Sequence, residues 1–456
     1  MTTLAARLAD FIVGIEAEFL PAEVEAKARA CLLNGYGIAL GCATTPYAPV
    51  ARKTALALFG EQPGGATLLG DGRRTAVPGA ALANSALFHG RAQEDTCGAA
   101  HLGAILIPLL TALFEARALP LDRFLPALVA GYETGGLLEA AFSPRTTPAG
   151  FRSSPVFGTV AAAGAASRAM ALPPDRIAAA LANAASFAGG ILQSFADGTD
   201  EWRYQVGYAG LNGLIAAQLA ADGSVSAPHA FEGSAGFVRA FTGTDCDGDA
   251  LAGKLGREWS IHRVTFKPYP VCAFNQTPVV AALGLREKLA GATVTAAQVR
   301  MNPYEIGYAG MDSKGPFSTV AGTLMSIPFC IALTLLRGSP TMAEMTRYDD
   351  AEVNALMARI EPVADEGVAR LCCVIEAETD AGQTVIHEQP MTTEDFNYGW
   401  DGVLDLIRRV GAESGVPDAA YERIAGFAKA LPGGSLADVL DAFALLSPSP
   451  AARAAS

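Results

Sequence analysis

From Ala80 to Ala221 the chain runs through one apolar, alanine- and glycine-rich segment after another, each of helical length and parted from the next by a short polar break. The segments are Ala80–Phe88, Leu102–Phe114, Leu121–Ala141, Thr159–Met170, Asp175–Ala185 and Leu211–Ala221. Such a succession leaves little room for strands and predicts an all-α first half. Upstream, Leu4–Ala57 alternates apolar and charged positions at helical spacing, with Pro21 where a first turn tolerates it. Gly35 and Gly37 in CLLNGYGIALG are expected to let another helix approach closely. Ala66–Arg74, with its tight turn at Asp71-Gly72, reads as a short strand or loop.

Near Ser260 the pattern changes. Ile261–Phe266 reads as a strand, Lys267-Pro268-Tyr269-Pro270 as a rigid turn and Gln276–Leu289 as a helix. Val294–Pro303, Cys372–Glu378 and Thr384–His387 alternate like strands, and Thr323–Leu336 and Asp349–Ile360 read as helices between them. Together they make an α+β domain of roughly 130 residues, an ordinary domain size. From Thr393 the chain is helical again, and the Ala/Ser/Pro tail after Ser447 is expected to fray.

Only 17% of the 456 residues are charged, against a usual share of about 25%. So little charge implies a small exposed surface, hence a large core or a subunit interface, and a two-fold homodimer is expected. The net charge of -13 argues against nucleic acid or an anionic membrane as partner. No signal peptide is read at the N-terminus, and the runs near Leu102–Phe114 and Leu324–Leu336 are too short or too Pro-interrupted to span a membrane. Pro108 and Pro328 fit buried helix starts or kinks. Eight scattered cysteines without C-x-x-C pairs form neither a disulfide scaffold nor a zinc site, so a cytoplasmic location with reduced thiols is expected. No dinucleotide, P-loop, zincin or serine-hydrolase motif occurs, so phosphate, zinc and serine-hydrolase chemistry are not expected.

The densest chemistry lies in FHGRAQEDTCGAAHLGAILIP, Phe88 to Pro108, which sets Arg91, Glu94, Asp95, Thr96, Cys97 and His101 among three glycines before an apolar helix. A carboxylate, hydroxyl and imidazole on a turn backed by a rigid helix is a common way to build an acid/base site. The plainer reading is that Asp95 or Thr96 caps the helix that follows. Both can hold together.

Six stretches in order resemble the MmgE/PrpD family of 2-methylcitrate dehydratases, cis-aconitate decarboxylases and iminodisuccinate epimerases. FHGRAQEDT is similar to the family's H-A-x-D-F-D-D-T, HLGAILIPLLTALFE to H-P-S-x-x-x-x-P-A-x-x-A-x-x-E, and GYETGGLL to G-Y-E-V. GFRSSPVFGTVAAAGAASRAMAL is similar to G-W-H-P-T-x-x-x-G-T-x-x-A-A-A-A-A, VTFKPYPVCAFNQTPVVAAL to x-x-F-K-x-Y-P-x-C, and MSIPFCIALTLLRG to F-S-I-P-Y-x-x-A-x-A-L-L-x-G. The resemblance implies a mainly α fold: a large all-helical domain, here 1–260 plus 393–456, with an inserted smaller α+β lid domain, here 261–392. It also implies a homodimer that moves a proton next to a carboxylate of a small anionic substrate, without metal or organic cofactor.

Several positions depart from the family pattern. Its first Asp falls on Ala92, the His of G-W-H-P-T on Arg152, the Lys after the Gly-rich loop on Trp202 beside Arg203, and the His after Y-P on Cys272 or Gln276. His89 matches a position that is often structural.

Proton abstraction beside a carboxylate asks for a base tuned near neutral pH and cations for the charge that develops. His101 is the expected general acid/base, with Asp95 orienting it or acting as base itself, and Lys267 is counted with them as catalytic. Arg91, Arg152 and Arg203 are expected to bind substrate carboxylates, Thr96 to hydrogen-bond one, and Tyr269 and Cys272 to close over the substrate. Each Arg could equally form an ordinary salt bridge, Arg91 with Glu94 or Arg203 with Glu201. The leading expectation is a lyase acting by 2-methylcitrate-dehydratase-like elimination. An epimerase of a small dicarboxylate and a non-catalytic carboxylate binder are the alternatives.

Overall fold

In a computed structural model that describes residues 2–446, the chain is mainly α-helical, with a small mixed sheet in its C-terminal part. The tail expected to fray lies outside the described residues. The chain divides into two compact units: one from Met1–Gly190, Arg203–Val264 and Gly399–Ser456, the other from Ile191–Trp202 and Thr265–Tyr398. No described helix is long and apolar enough to cross a membrane.

The first unit is built on α1 (Leu4–Gly14), α2 (Ala22–Gly41), α3 (Tyr47–Phe59), α4 (Val77–Phe88), α5 (Gly103–Arg117), α6 (Phe124–Thr146), α7 (Ser153–Ala169) and α8 (Pro174–Phe187). Helix α5 is buried on every side from Gly103 to Phe114, with Pro108 inside it. A helix apolar all round belongs in the middle of a core. Helix α2 shows how its neighbours come so close. A methyl group at Gly35 would run into the Ile107 side chain of α5, and one at Gly37 into Ile407 of the helix Trp400–Ala412. The two glycines therefore seat α2 between an early helix and a late one.

Several elements begin or end elsewhere than the sequence pattern predicts. The polar break around Trp202 is already helical, since one helix runs Trp202–Ala221. Helix α6 carries on to Thr146, into the polar break before Thr159 and with Pro144 inside it. The expected strand Ile261–Phe266 shortens to Val264–Thr265, and a 3-10 turn, Ser260–Arg263, takes the place of its first half. The reason is non-local. Glu133 of α6, buried, accepts the backbone N–H groups of Ser260 (2.8 Å) and Ile261 (2.9 Å), which a strand would have turned to a neighbouring strand.

In the second unit a four-stranded sheet runs in the order Ile360–Ala364, Val294–Met301, Cys373–Thr379, Thr384–Gln389. Its first pair is parallel and the others antiparallel. The strand Ile360–Ala364 occupies the end of the expected helix Asp349–Ile360, which shortens to Ala351–Met357. The expected helix Thr323–Leu336 breaks into Val320–Met325 and Ile327–Arg337. Ser326 makes the break by turning its hydroxyl onto the Phe329 N–H (3.0 Å), with Pro328 in the new first turn.

Candidate active site

Helix α4 stops at Phe88 and α5 starts at Gly103, and the connection between them carries the polar residues singled out above. It folds back through two left-handed positions, Ala92 (φ 55°) and Gly98 (φ 62°). The second must be glycine, because a Cβ there would strike the Glu139 carboxylate. The fold-back turns Glu94 and Asp95, adjacent in sequence, to different partners.

Asp95 faces the helices. One carboxylate oxygen accepts the Gly103 N–H at the start of α5 (3.1 Å), and the other accepts the Tyr132 hydroxyl from α6. Burial raises the Asp95 carboxyl to about 6 and, with Asp95 beside it, holds the Tyr132 hydroxyl well above its ordinary value. Gly103 is required here as well, since a side chain would meet the Asp95 carboxylate. Asp95 thus serves as the cap of α5.

Glu94, fully buried, holds the two histidines. Its Oε1 stands 2.8 Å from His89 Nδ1 and 2.7 Å from His101 Nδ1, and the two rings are 5.0 Å apart. The His89 side chain is wholly enclosed, whereas that of His101 keeps 16% of its surface exposed. Backbone contacts fix His101 too, through its N–H on Ser154 Oγ in the first turn of α7 (3.0 Å). On the far side of His89, Arg152 Nη2 lies 2.7 Å from Nε2, while Nη1 donates to Gln205 (3.2 Å). A guanidinium has hydrogens and no lone pair, so His89 Nε2 accepts and the ring proton sits on Nδ1, aimed at Glu94. Burial holds His89 neutral, well below its ordinary value, with Arg152 and His101 acting in the same direction against Glu94.

His89, Glu94 and His101 offer donor atoms all within 4.8 Å of one another, a spacing that suits a divalent cation. The tautomer speaks against one. A metal on His89 Nδ1 would move the ring proton to Nε2, where it would face a group that can only donate. The cluster fits a hydrogen-bonded relay instead.

The other expected residues are placed as follows. Arg91 is buried, with Nε on Gln93 (2.8 Å) and Nη2 on Glu413 (2.8 Å), so its ion pair reaches the C-terminal part of the unit and not Glu94. Arg203 is buried with its guanidinium 3.7 Å from the Tyr47 ring centre and Nη2 donating to the Tyr47 hydroxyl (3.1 Å). Thr96 is buried. Lys267, Tyr269 and Cys272 belong to the second unit, where Gln276 braces the turn by accepting the Tyr269 N–H (3.2 Å) and donating to the carbonyls of Tyr269 and Val271 (3.1 Å each). Burial pushes the Cys272 thiol up, so it is no ready nucleophile. The structure therefore brings His101 and Arg152 together around Glu94 and His89. Glu94 was within the singled-out stretch but given no part in the chemistry, and only its neighbour was.

The site thus sets one buried carboxylate against two imidazoles on a mainly helical scaffold. The chain belongs to the MmgE/PrpD family: residues 6–247 match the MmgE/PrpD N-terminal domain and residues 269–394 the MmgE/PrpD C-terminal domain. It is similar to the cis-aconitate decarboxylase-like protein oryM of Aspergillus oryzae, with 30% identity over 282 residues, 58% of either chain. It is also similar to the cis-aconitate decarboxylase of Aspergillus terreus, with 25% identity over 391 residues, 80% of this chain and 79% of that one.

Proposed function

We propose that the protein is a lyase that eliminates water or carbon dioxide from a small di- or tricarboxylate, using His101 as general acid/base and no metal or organic cofactor. The observation that carries this reading is the Glu94–His101 pair, 2.7 Å between Oε1 and Nδ1. A carboxylate on Nδ1 places the lone pair of the neutral ring on Nε2 and stabilises the imidazolium that forms when Nε2 takes a proton. In an elimination, Nε2 removes the proton next to a substrate carboxylate. The electron pair spreads into that carboxylate, then forms the double bond as the hydroxyl on the neighbouring carbon takes the proton from the His101 imidazolium and departs as water. In a decarboxylation the imidazolium works in reverse. Carbon dioxide leaves, and the electron pair of the broken C–C bond takes the ring's proton as a new C–H bond. The names of the two Aspergillus relatives support the decarboxylating variant.

Incubation with 2-methylcitrate, cis-aconitate and iminodisuccinate in deuterated water, followed by NMR, tests the proposal. Loss of water or carbon dioxide is expected from one of them. Deuterium exchange with inversion and no elimination would make the protein an epimerase, and protection from thermal unfolding without turnover would make it a binder.

The same reading takes the protein as a homodimer. The helix Trp202–Ala221 exposes Tyr208, Ile215 and Leu219 on one stripe (55%, 41% and 42% exposed), an apolar face suited to a second copy. A monomeric mass by light scattering would refute this.

A further inference from the structure

Arg152 lies where the family resemblance implies a substrate-facing residue, yet its guanidinium is 1% exposed and directed at a protein side chain. Its 2.7 Å contact with His89 Nε2 does more than fill space. It decides which nitrogen of His89 bears the proton, and hence that His89 donates to Glu94 at 2.8 Å. Glu94 Oε1 then serves two imidazole N–H groups at once, one from each ring. A carboxylate shared between two donors stabilises a cation on either less than it would alone.

We propose that Arg152 and His89 are positioning residues for His101: Arg152 locks His89 as an Nδ1–H donor, and His89 draws off part of the Glu94 charge that His101 would otherwise feel. A shared carboxylate lets the His101 imidazolium give up its proton more readily than an unshared one would, as the return half of an acid/base step requires. The charged and titratable groups around the pair include Glu94 between the rings, Arg152 from the start of α7, Asp95, whose charge is felt at Glu94, and the buried Cys42 thiol, which also feels Glu94. The inference rests on His101 being the reacting group, but its first test does not need turnover.

Two substitutions separate the two contacts of His89. His89→Asn keeps an amide donor near the place of Nδ1 and loses the acceptor for Arg152. His89→Gln reaches the place of Nε2, keeps the acceptor and loses the donor to Glu94. The chain has five histidines, so their ring nitrogens can be followed singly by proton–nitrogen NMR, with His101→Gln to assign that resonance. In the unaltered protein His89 is expected as the neutral Nδ1–H tautomer throughout pH 5–8. In His89→Gln the midpoint of the His101 titration is expected to rise by about 0.5–1 pH unit, and in His89→Asn to stay within about 0.2. The acid limb of kcat/KM should move with it. An Nε2–H tautomer for His89, or equal His101 midpoints in the two variants, would overturn the proposal. Expected midpoints without turnover of any polycarboxylate would leave the relay standing and remove the lyase reading. Turnover with unmoved midpoints would do the opposite.

Discussion

Glu94 Oε1 and His101 Nδ1 stand 2.7 Å apart, and the carboxylate is fully buried while the ring keeps a partial opening to solvent. Glu94→Gln removes the charge from this pair and alters little of its shape. Turnover is expected to fall by about 10²-fold or more, the scale of general acid/base catalysis. His101→Ala should abolish it with the melting temperature nearly unchanged. A large loss of stability with activity kept in His101→Ala would end the catalytic role of that ring.

Asp95 gives a different expectation from its neighbour. Asp95→Asn retains an acceptor for the Gly103 N–H and a polar partner for the Tyr132 hydroxyl. Its activity should stay within a few-fold of the unaltered protein, whereas Asp95→Ala leaves two buried donors unmatched and should cost about 2–3 kcal/mol by denaturant titration. An Asn variant that folds normally but is dead would make Asp95 a reacting group.

The same carboxyl sets a pH dependence. Its folded value of about 6 lies above the ordinary 3.8, so the folded protein holds a proton that the unfolded chain releases. The stabilisation is full below the unfolded value, near pH 4, and is lost as pH rises through about 6. The difference amounts to at most about 3 kcal/mol. Denaturant titrations at pH 5 and 7.5 should therefore show a smaller loss of stability with rising pH in Asp95→Asn than in the unaltered protein. Equal losses would contradict the assignment.

Three helices end on an alanine in the left-handed region: Ala118 (φ 48°) after α5, Ala171 (φ 52°) after α7 and Ala290 (φ 47°) after Gln276–Leu289. All three are exposed. Glycine adopts this backbone without the Cβ clash, so Ala118→Gly, Ala171→Gly and Ala290→Gly should each stabilise the protein by about 1 kcal/mol, read as a higher melting temperature.

Gly103→Ala tests the fit between α5 and the connection before it. The added methyl would press on the Asp95 carboxylate, and a loss of about 1–3 kcal/mol is expected in thermal or denaturant unfolding.

The sequence made some of this legible and hid the rest for physical reasons. The long unbroken apolar run of α5, the helix Gln276–Leu289 and the alternating strand Val294–Met301 were each legible from local sequence. Gly35 and Gly37 announced close helix approach, and Ile107 and Ile407 are the side chains that make it. The turn at Ser260 could not be read, because the carboxylate that fixes it belongs to a helix more than a hundred residues earlier. Nor could the division of labour between Glu94 and Asp95. Two adjacent acids look alike in a row of letters. What separates them is that Tyr132 and the Gly103 N–H claim one, leaving the other to the imidazoles. Arg152 was read as a cation for substrate, and its contact with His89, some sixty residues upstream, was not legible.

The glycine-lined face of α2 against Ile407 bears on how the molecule comes into being. A growing chain makes α2 long before the helix that covers it, with the whole of Thr265–Tyr398 synthesised in between. Until that late helix arrives, the early one waits with a bare apolar groove, so a fragment ending near Val264 should need a chaperone or should aggregate. Its two distant stretches act as clasp and eye, and the earlier unit closes only once translation has passed Ile407.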